Sequence, residues 1–161
     1  VPPTEAATAT LNPASDPDYL YQQAEIAARL TRYEEAIEWL DALFALAPDY
    51  ARTAEAKAML LHALTEQGKT YLRGQNEDGE DMLLRGVDMI YRAQDLGEIP
   101  NTLYGEAIFV ELYVTARNYV YGGNYAAAIP ILQDLCNQNC GWGYPNVNPV
   151  TVQDLLNMAG G

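Results

Sequence analysis

The fold is decided by the stretch from Tyr33 to Pro48, which reads Tyr-Glu-Glu-Ala-Ile-Glu-Trp-Leu-Asp-Ala-Leu-Phe-Ala-Leu-Ala-Pro. Its small and apolar residues recur at spacings of three and four, so one helical face carries Ala36, Leu40, Leu43 and Ala47. Pro48 ends this helix because proline has no backbone N–H to donate. The stretch therefore predicts an amphipathic helix over residues 33–47.

A second apolar stripe lies just upstream and contains Leu20, Ala24, Ala27 and Leu30. Only residues 31–32 separate the two stripes. A link this short makes the two helices antiparallel neighbours. The alanines allow this arrangement because small side chains let two backbones come close.

The same order of residue types recurs late in the chain. The intervals between Leu20, Ala24, Tyr33 and Ala36 are repeated by Leu112, Ala116, Tyr125 and Ala128, and Leu132 and Leu135 follow. A weaker copy lies between these two and consists of Leu83, Gly86, Ile90 and Ala93.

This pattern resembles the tetratricopeptide repeat family. That motif has an apolar residue, a small residue four later, an aromatic residue at the turn, a small residue three after it and a closing proline. The residues that carry the resemblance are Leu20, Ala24, Tyr33, Ala36, Leu40, Pro48, Leu112, Ala116, Tyr125, Ala128 and Leu132. They extend over roughly residues 17–136 as about three degenerate repeats. The middle copy carries insertions, because Tyr33 and Tyr125 are farther apart than two repeats of about 34 residues.

The resemblance implies an all-α, right-handed helical-repeat solenoid. Proteins of this family are scaffolds that bind peptides, proteins or each other. The motif is therefore specific for the fold and leaves the function open.

About seven helices are expected in all. They cover residues 17–30, 33–47, 49–73, 80–96, 102–121 and 125–135, and Thr151 caps a short closing helix that reaches Met158. The third helix is expected to bury Ala54, Ala58, Leu61 and Leu64. Residues 1–15 contain three prolines and three threonines, which predicts an extended arm. One solenoid domain over residues 16–161 follows this arm.

The charge of the chain excludes some partners. Its 161 residues carry a net charge of −13, and nucleic acid needs a basic partner surface. An anionic membrane surface is disfavoured for the same reason, although acidity is also an ordinary means of keeping a protein soluble. No apolar run is long enough to span a membrane.

The arm resembles the Pro/Thr-rich spacers that follow signal sequences in exported bacterial proteins. The first residue is Val and not Met. We therefore expect a secreted or cell-surface protein from which the signal segment has been removed.

Few residues could carry chemistry. His62 is the only histidine, and no nucleophile motif accompanies it. Cys136 and Cys140 are the only cysteines, too few for a zinc site with its usual four ligands. Their spacing suits a small disulfide loop at the end of the sixth helix if the protein is exported, with a reduced cytoplasmic pair as the alternative.

The acidic segment from residue 75 to residue 81 looks at first like a calcium loop. Aligning Gly79 with the invariant glycine of such a loop puts Gly74 and Arg85 at ligand positions, where neither can serve. A solvated acidic turn is the better interpretation. The sequence thus predicts no enzyme, no cofactor and no metal site.

The fifth helix is apolar on every side, and a helix of this kind is normally buried all round. Either its neighbours in the same chain enclose it, or part of its surface faces another subunit. The second interpretation is favoured by the scarcity of charge in residues 101–161, which hold only Glu106, Glu111, Arg117, Asp134 and Asp154. The candidate subunit-interface residues are Val1, Pro2, Pro3, Leu11, Phe109, Tyr113, Tyr121, Trp142 and Tyr144.

Two functions follow from these features. The first is a structural protein that assembles with other copies of itself into an extracellular filament, with stacked domains and an arm docked on a neighbour. The alternative is a scaffold that binds a peptide or protein partner in a concave groove. A polymer that forms without an added partner would distinguish the first from the second.

Overall fold

The computed structural model describes residues 13–74, 82–144 and 149–160 of the chain. These residues form seven α-helices and no strand, and helix accounts for 78% of the structure. A 3-10 turn, Pro13–Ser15, precedes the helices, which are α1 (Pro17–Arg29), α2 (Tyr33–Leu46), α3 (Thr53–Leu72), α4 (Leu83–Leu96), α5 (Asn101–Tyr121), α6 (Tyr125–Asn139) and α7 (Val152–Met158). The predicted all-α class and the predicted number of helices are confirmed.

Most helix boundaries agree with the local signals in the sequence. Asp16 accepts a hydrogen bond from Asp18 N–H at the start of α1, and Thr151 forms a capping box with Asp154 at the start of α7. Two helices differ from expectation: α3 begins at Thr53, and α6 continues to Asn139 with Pro130 inside it. The predicted start of α4 and the arm up to residue 12 lie outside the described residues.

The helices belong to two compact units, the first ending at Ala63 and the second beginning at Leu64. The boundary falls within α3. The sequence-based division into an arm and one domain over residues 16–161 stays a prediction.

In the first unit, α1 packs against α2. The repeat residues Leu20, Ala24, Ala36 and Leu40 are all buried between them. Leu30, expected to continue the α1 stripe, is 57% exposed. Leu30 lies at the C-cap of α1, so the buried stripe ends at Ala27.

The segment after α2 is also tied to this unit. The Tyr50 hydroxyl donates a hydrogen bond to the Asp18 carboxylate, which raises the pKa of Tyr50 to about 12. The guanidinium of Arg52 lies 4.2 Å from the centroid of the Tyr21 ring, within the range of a cation–π contact. These contacts attach the chain beyond Pro48 to the first helix.

The predicted buried face of α3 is confirmed at Leu64, and Leu61 is half-buried, but the prediction was wrong for the two alanines. Ala54 and Ala58 are exposed, and the buried residues of this helix are Ala56, Leu60, Ala63, Leu64, Gly68, Tyr71 and Leu72. Alanine and leucine occur on several sides of α3, so its sequence permits more than one apolar stripe. Packing partners distant in sequence decide which stripe is buried.

In the second unit, α5 packs against α4, α6 and α7. The core residues of the middle repeat copy are all buried, as are those of the last copy on α6: Leu83, Gly86, Ile90, Ala93, Ala128, Leu132 and Leu135. Two signature residues of the last copy are exposed instead, Leu112 to 38% and Tyr125 to 45%. The buried position at Leu112 is taken by the next residue, Tyr113, which is fully buried.

The turns between α1 and α2 and between α5 and α6 have the same geometry. Each contains one residue in the left-handed region, Thr31 with a φ of 57° and Gly123 with a φ of 76°. The residue that follows donates its N–H to a carbonyl five positions earlier: Arg32 to Ala27 at 2.9 Å, and Asn124 to Tyr119 at 2.8 Å. This bond pattern is that of a Schellman motif, so the two hairpins repeat in backbone geometry as well as in sequence.

Candidate interaction surfaces

Helix α5 presents an apolar stripe to solvent. Tyr104, Ile108, Leu112 and Tyr119 are each 38–40% exposed and lie within one narrow sector of the helix. At a rise of 1.5 Å per residue, these four residues extend over about 22 Å. Single exposed apolar side chains are ordinary, but a contiguous row of them is a candidate interaction site. We call this row the α5 stripe.

Polar groups beside the α5 stripe are already engaged. The Tyr91 hydroxyl donates a hydrogen bond to the Glu111 carboxylate, and burial, together with this bond, raises the pKa of Tyr91. The Thr115 hydroxyl donates to the Glu111 carbonyl at 2.9 Å. Because the Thr115 hydroxyl is bonded to the backbone, Thr115 does not interrupt the uncharged surface between Ile108 and Tyr119.

The interpretation that neighbouring helices enclose α5 on every side is wrong for this stripe. Leu103, Ala107, Val110, Val114 and Val120 are buried against the neighbours of α5, but the residues that the structure describes leave the opposite side exposed. The sequence showed that α5 lacks a polar face. It did not show which apolar residues would remain exposed.

A second surface feature is a pocket of about 260 Å³ between α5 and the end of α6. We call it the Trp142 pocket; it is lined by Phe109 and Trp142 and by Thr102, Gly105, Glu106, Gln138 and Asn139. The Trp142 ring meets the rings of Phe109 and Tyr113 edge to face, with centroids 5.4 Å and 4.9 Å apart. Aromatic walls beside amide groups make this pocket amphipathic.

Trp142 is held in place by the segment that follows α6. A disulfide joins Cys136 and Cys140 in the last turns of this helix. The Trp142 carbonyl accepts a hydrogen bond from Val152 N–H at 2.8 Å, and Gly143 forms an isolated bridge with Thr151. These contacts fix the backbone on both sides of the indole.

Two of the candidate interface residues lie in the core of the second unit. Tyr113 is fully buried and donates its hydroxyl to the Val150 carbonyl, and Tyr144 is only 8% exposed. They are core residues and not surface contacts, which corrects the expectation for both. Their aromatic character matched that of interface residues, but sequence alone could not separate core from surface.

The other interface candidates differ in position. Phe109 and Trp142 are partly buried and line the pocket, and Tyr121 is 62% exposed at the end of α5. Val1, Pro2, Pro3 and Leu11 lie outside the described residues.

One carboxylate of the pocket is paired. Arg73 donates from Nε and from a terminal nitrogen to the two oxygens of Glu106, both at 3.2 Å, and this bond raises the pKa of Arg73. The bidentate pair joins the residue after α3 to α5 within the second unit. Glu106 therefore keeps a fixed position beside the pocket.

The tyrosine that begins the second helix of each repeated hairpin has different surroundings in the two copies. Tyr33 meets His62 edge to face with ring centroids 5.5 Å apart, and its hydroxyl lies 3.5 Å from His62 Nε2. Tyr125, at the equivalent position of the last hairpin, is 45% exposed. In the first hairpin, the tyrosine thus contacts a residue of the next helix, α3.

Within the described ranges, no group of three or more His, Cys, Asp or Glu side chains could hold a metal ion. The acidic segment 75–81 lies outside those ranges. No described helix combines the length and the apolar character that crossing a bilayer requires.

In comparisons with protein families, curated proteins and solved structures, no match to this chain was found.

Proposed function

We propose that this chain is a structural, self-assembling protein, the subunit of an extracellular homopolymeric filament. In this proposal, tetratricopeptide-like domains stack on one another and the N-terminal arm docks on a neighbouring copy. The α5 stripe is the observation that carries the proposal. It is a row of large apolar side chains in a chain that is otherwise strongly acidic.

The occupant that fits the α5 stripe is a second copy of the chain. Ile108, Leu112, Thr115 and Tyr119 follow the alternation of four and three residues with which one helix packs along another. The stripe also lies in the part of the chain with the fewest charges. Two copies with a net charge of −13 repel each other least where they approach through this part.

The repeated hairpin supports the solenoid part of the proposal. The two Schellman turns and the buried alanines Ala24, Ala36, Ala116 and Ala128 recur in the order that the tetratricopeptide motif requires. A right-handed solenoid of such hairpins has flat helical ends, on which further copies can stack. We therefore retain the family resemblance as the basis of the proposed architecture.

A filament needs a contact that does not close. If two α5 stripes pack on each other, the contact is isologous and ends at a dimer. A second contact between unlike surfaces extends the dimer into an open chain. The arm is the segment proposed for this second contact, because residues 1–12 contain two prolines and a single charged residue, Glu5.

The alternative function is a scaffold that binds a peptide of another protein. The Trp142 pocket is the feature that favours it, since aromatic walls and amide groups suit a peptide. A scaffold of this kind does not need to associate with itself. Self-association in the absence of any partner therefore separates the two functions.

The test places a charge on the α5 stripe. We expect the wild-type chain to sediment as a polymer and to form fibres in negative-stain micrographs, and Ile108→Glu to sediment as much smaller species. Burying an unpaired carboxylate at an apolar contact costs about 2 kcal/mol or more per site. Circular dichroism should show unchanged helix content, because Ile108 is already 40% exposed.

Leu84→Glu is the matched control. Leu84 is 54% exposed in the first turn of α4 and is not one of the residues of the stripe, and the substitution changes the net charge by the same amount. This variant should polymerise like the wild type. A monomeric wild-type chain would refute the filament and leave the scaffold, whereas polymers of Ile108→Glu would show that another surface makes the contact.

A further inference from the structure

We propose that the Trp142 pocket is the receptor for the Pro2–Pro3 segment of a second copy's arm. This inference rests on the proposed self-assembly and names the surfaces that make its second contact. It assigns the pocket a ligand chemistry, an uncharged polyproline-type peptide, and it assigns the arm a place to bind.

The pocket has the chemistry of a polyproline site. Phe109 and Trp142 supply aromatic surface, on which proline rings pack. Gln138, Asn139 and the Trp142 indole supply N–H donors, and a polyproline helix leaves its carbonyls free to accept such bonds. A volume of about 260 Å³ is below the roughly 300–1,000 Å³ of sites for drug-sized ligands. The pocket therefore suits a short peptide segment.

Gly105 gives the pocket part of its space. A Cβ atom added at this position would meet no atom within 4 Å, although it lies within α5. Glycine is a poor residue for a helix interior and costs about 1 kcal/mol relative to alanine. A side chain at this position would project into open space that the pocket now provides.

The arm contains the matching sequence. Pro2 and Pro3 are the only adjacent pair among the nine prolines of the chain, and prolines reduce the conformational entropy that binding must overcome. Twelve residues ahead of Pro13 can span at most about 40 Å when extended. This length allows an arm to leave its own unit and enter a neighbouring copy.

A second copy is the occupant that the proposed filament requires. The arm and the pocket are unlike surfaces, so a contact between copies is heterologous and leaves one free arm and one free pocket at the ends. Together with the α5 stripe, it yields an open chain. An arm that bound the pocket of its own chain would instead use up both surfaces.

The first experiment fills the pocket without disturbing its walls. Gly105→Leu should stop assembly at species no larger than a dimer, while Ala54→Leu, which enlarges an exposed residue of α3 that does not line the pocket, should assemble like the wild type. The double variant Pro2→Gly/Pro3→Gly should also stop at small species. Polymers of Gly105→Leu that match the wild type would overturn the inference, even if Ile108→Glu confirmed the proposed function.

Mixing the two defective chains tests whether the contact is between copies. Gly105→Leu keeps its arm and the proline variant keeps its pocket, so an equimolar mixture should form larger species than either chain alone. A mixture that stays as small as its components would overturn the contact between copies. The same result is expected if each arm can bind only the pocket of its own chain.

A binding measurement remains decisive if the wild type does not polymerise. The host is the full chain with Pro2→Gly, Pro3→Gly and Trp39→Phe, in which Trp142 is the only tryptophan. A synthetic peptide of residues 1–12 should change the Trp142 fluorescence of the host in a saturable manner. Introducing Gly105→Leu into the host should weaken binding of the peptide about tenfold or more. Equal binding of a peptide with both prolines replaced by glycine, or no binding at all, would overturn the inference.

Discussion

Thr31 occupies a backbone position that disfavours its own side chain. Its φ of 57° lies in the left-handed region, which β-branched residues enter at a cost. The equivalent turn between α5 and α6 has Gly123 there, for which this conformation is free of strain. The chain therefore contains one strained and one relaxed version of the same Schellman turn.

We expect Thr31→Gly to raise the free energy of unfolding by about 1 kcal/mol. The reciprocal substitution, Gly123→Thr, should lower it by about the same amount, since the two turns share their hydrogen bonds. Urea unfolding followed by circular dichroism measures both changes. An unchanged slope of the free energy of unfolding against urea concentration would show that the surface exposed on unfolding is unaffected. A loss of stability in Thr31→Gly would mean that the Thr31 side chain makes a contact worth more than the strain.

At the same scale, the sequence predicts the burial of some side chains better than that of others. It placed Leu20, Ala24, Ala36 and Leu40 in the core correctly, because small and apolar residues at helical spacing leave little choice. It failed at Leu112, where the adjacent Tyr113 is buried instead. Two neighbouring apolar residues compete for one buried position, and only the surrounding packing decides between them.

At the scale of helices, the approach of α3 to α4 depends on glycine. A Cβ atom at Gly86 would lie 2.9 Å from Tyr71 Cβ and 3.1 Å from both Gly68 O and Leu72 N. The sequence places Gly86 where the first repeat has Ala36, the small residue of the motif. Here the two backbones lie closer than alanine permits.

We expect Gly86→Ala to lower the free energy of unfolding by about 1–3 kcal/mol, the usual cost of overpacking. Gly105→Ala is the matched control on α5, where nothing lies within 4 Å of an added Cβ atom. That variant should gain up to about 1 kcal/mol from helix propensity. Replacing glycine by alanine thus changes the free energy of unfolding in opposite directions at the two positions. Equal shifts in the two urea midpoints would contradict the close contact between α3 and α4 at Gly86.

For the whole molecule, charge opposes the proposed assembly. Every copy carries −13, so association through the α5 stripe must overcome repulsion between like charges. Salt screens that repulsion, because the Debye length falls from about 30 Å at about 0.01 M to about 3 Å at about 1 M.

We therefore expect the polymer to be favoured by salt. Light scattering at fixed protein concentration should rise between about 0.01 M and about 1 M sodium chloride. Dissociation on adding salt would contradict an apolar contact. It would indicate that ion pairs between copies hold the assembly together.

The sequence by itself determined the helices, the repeated hairpin and the caps. These features depend on residues near one another in the chain: helical spacing, the cap at Thr151, and turns of two or three residues. The exposed α5 stripe, the buried face of α3 and the Trp142 pocket were decided only by tertiary structure. Burial at each of them depends on which helices cover a surface, and those helices are distant in sequence from the residues that they cover or leave exposed.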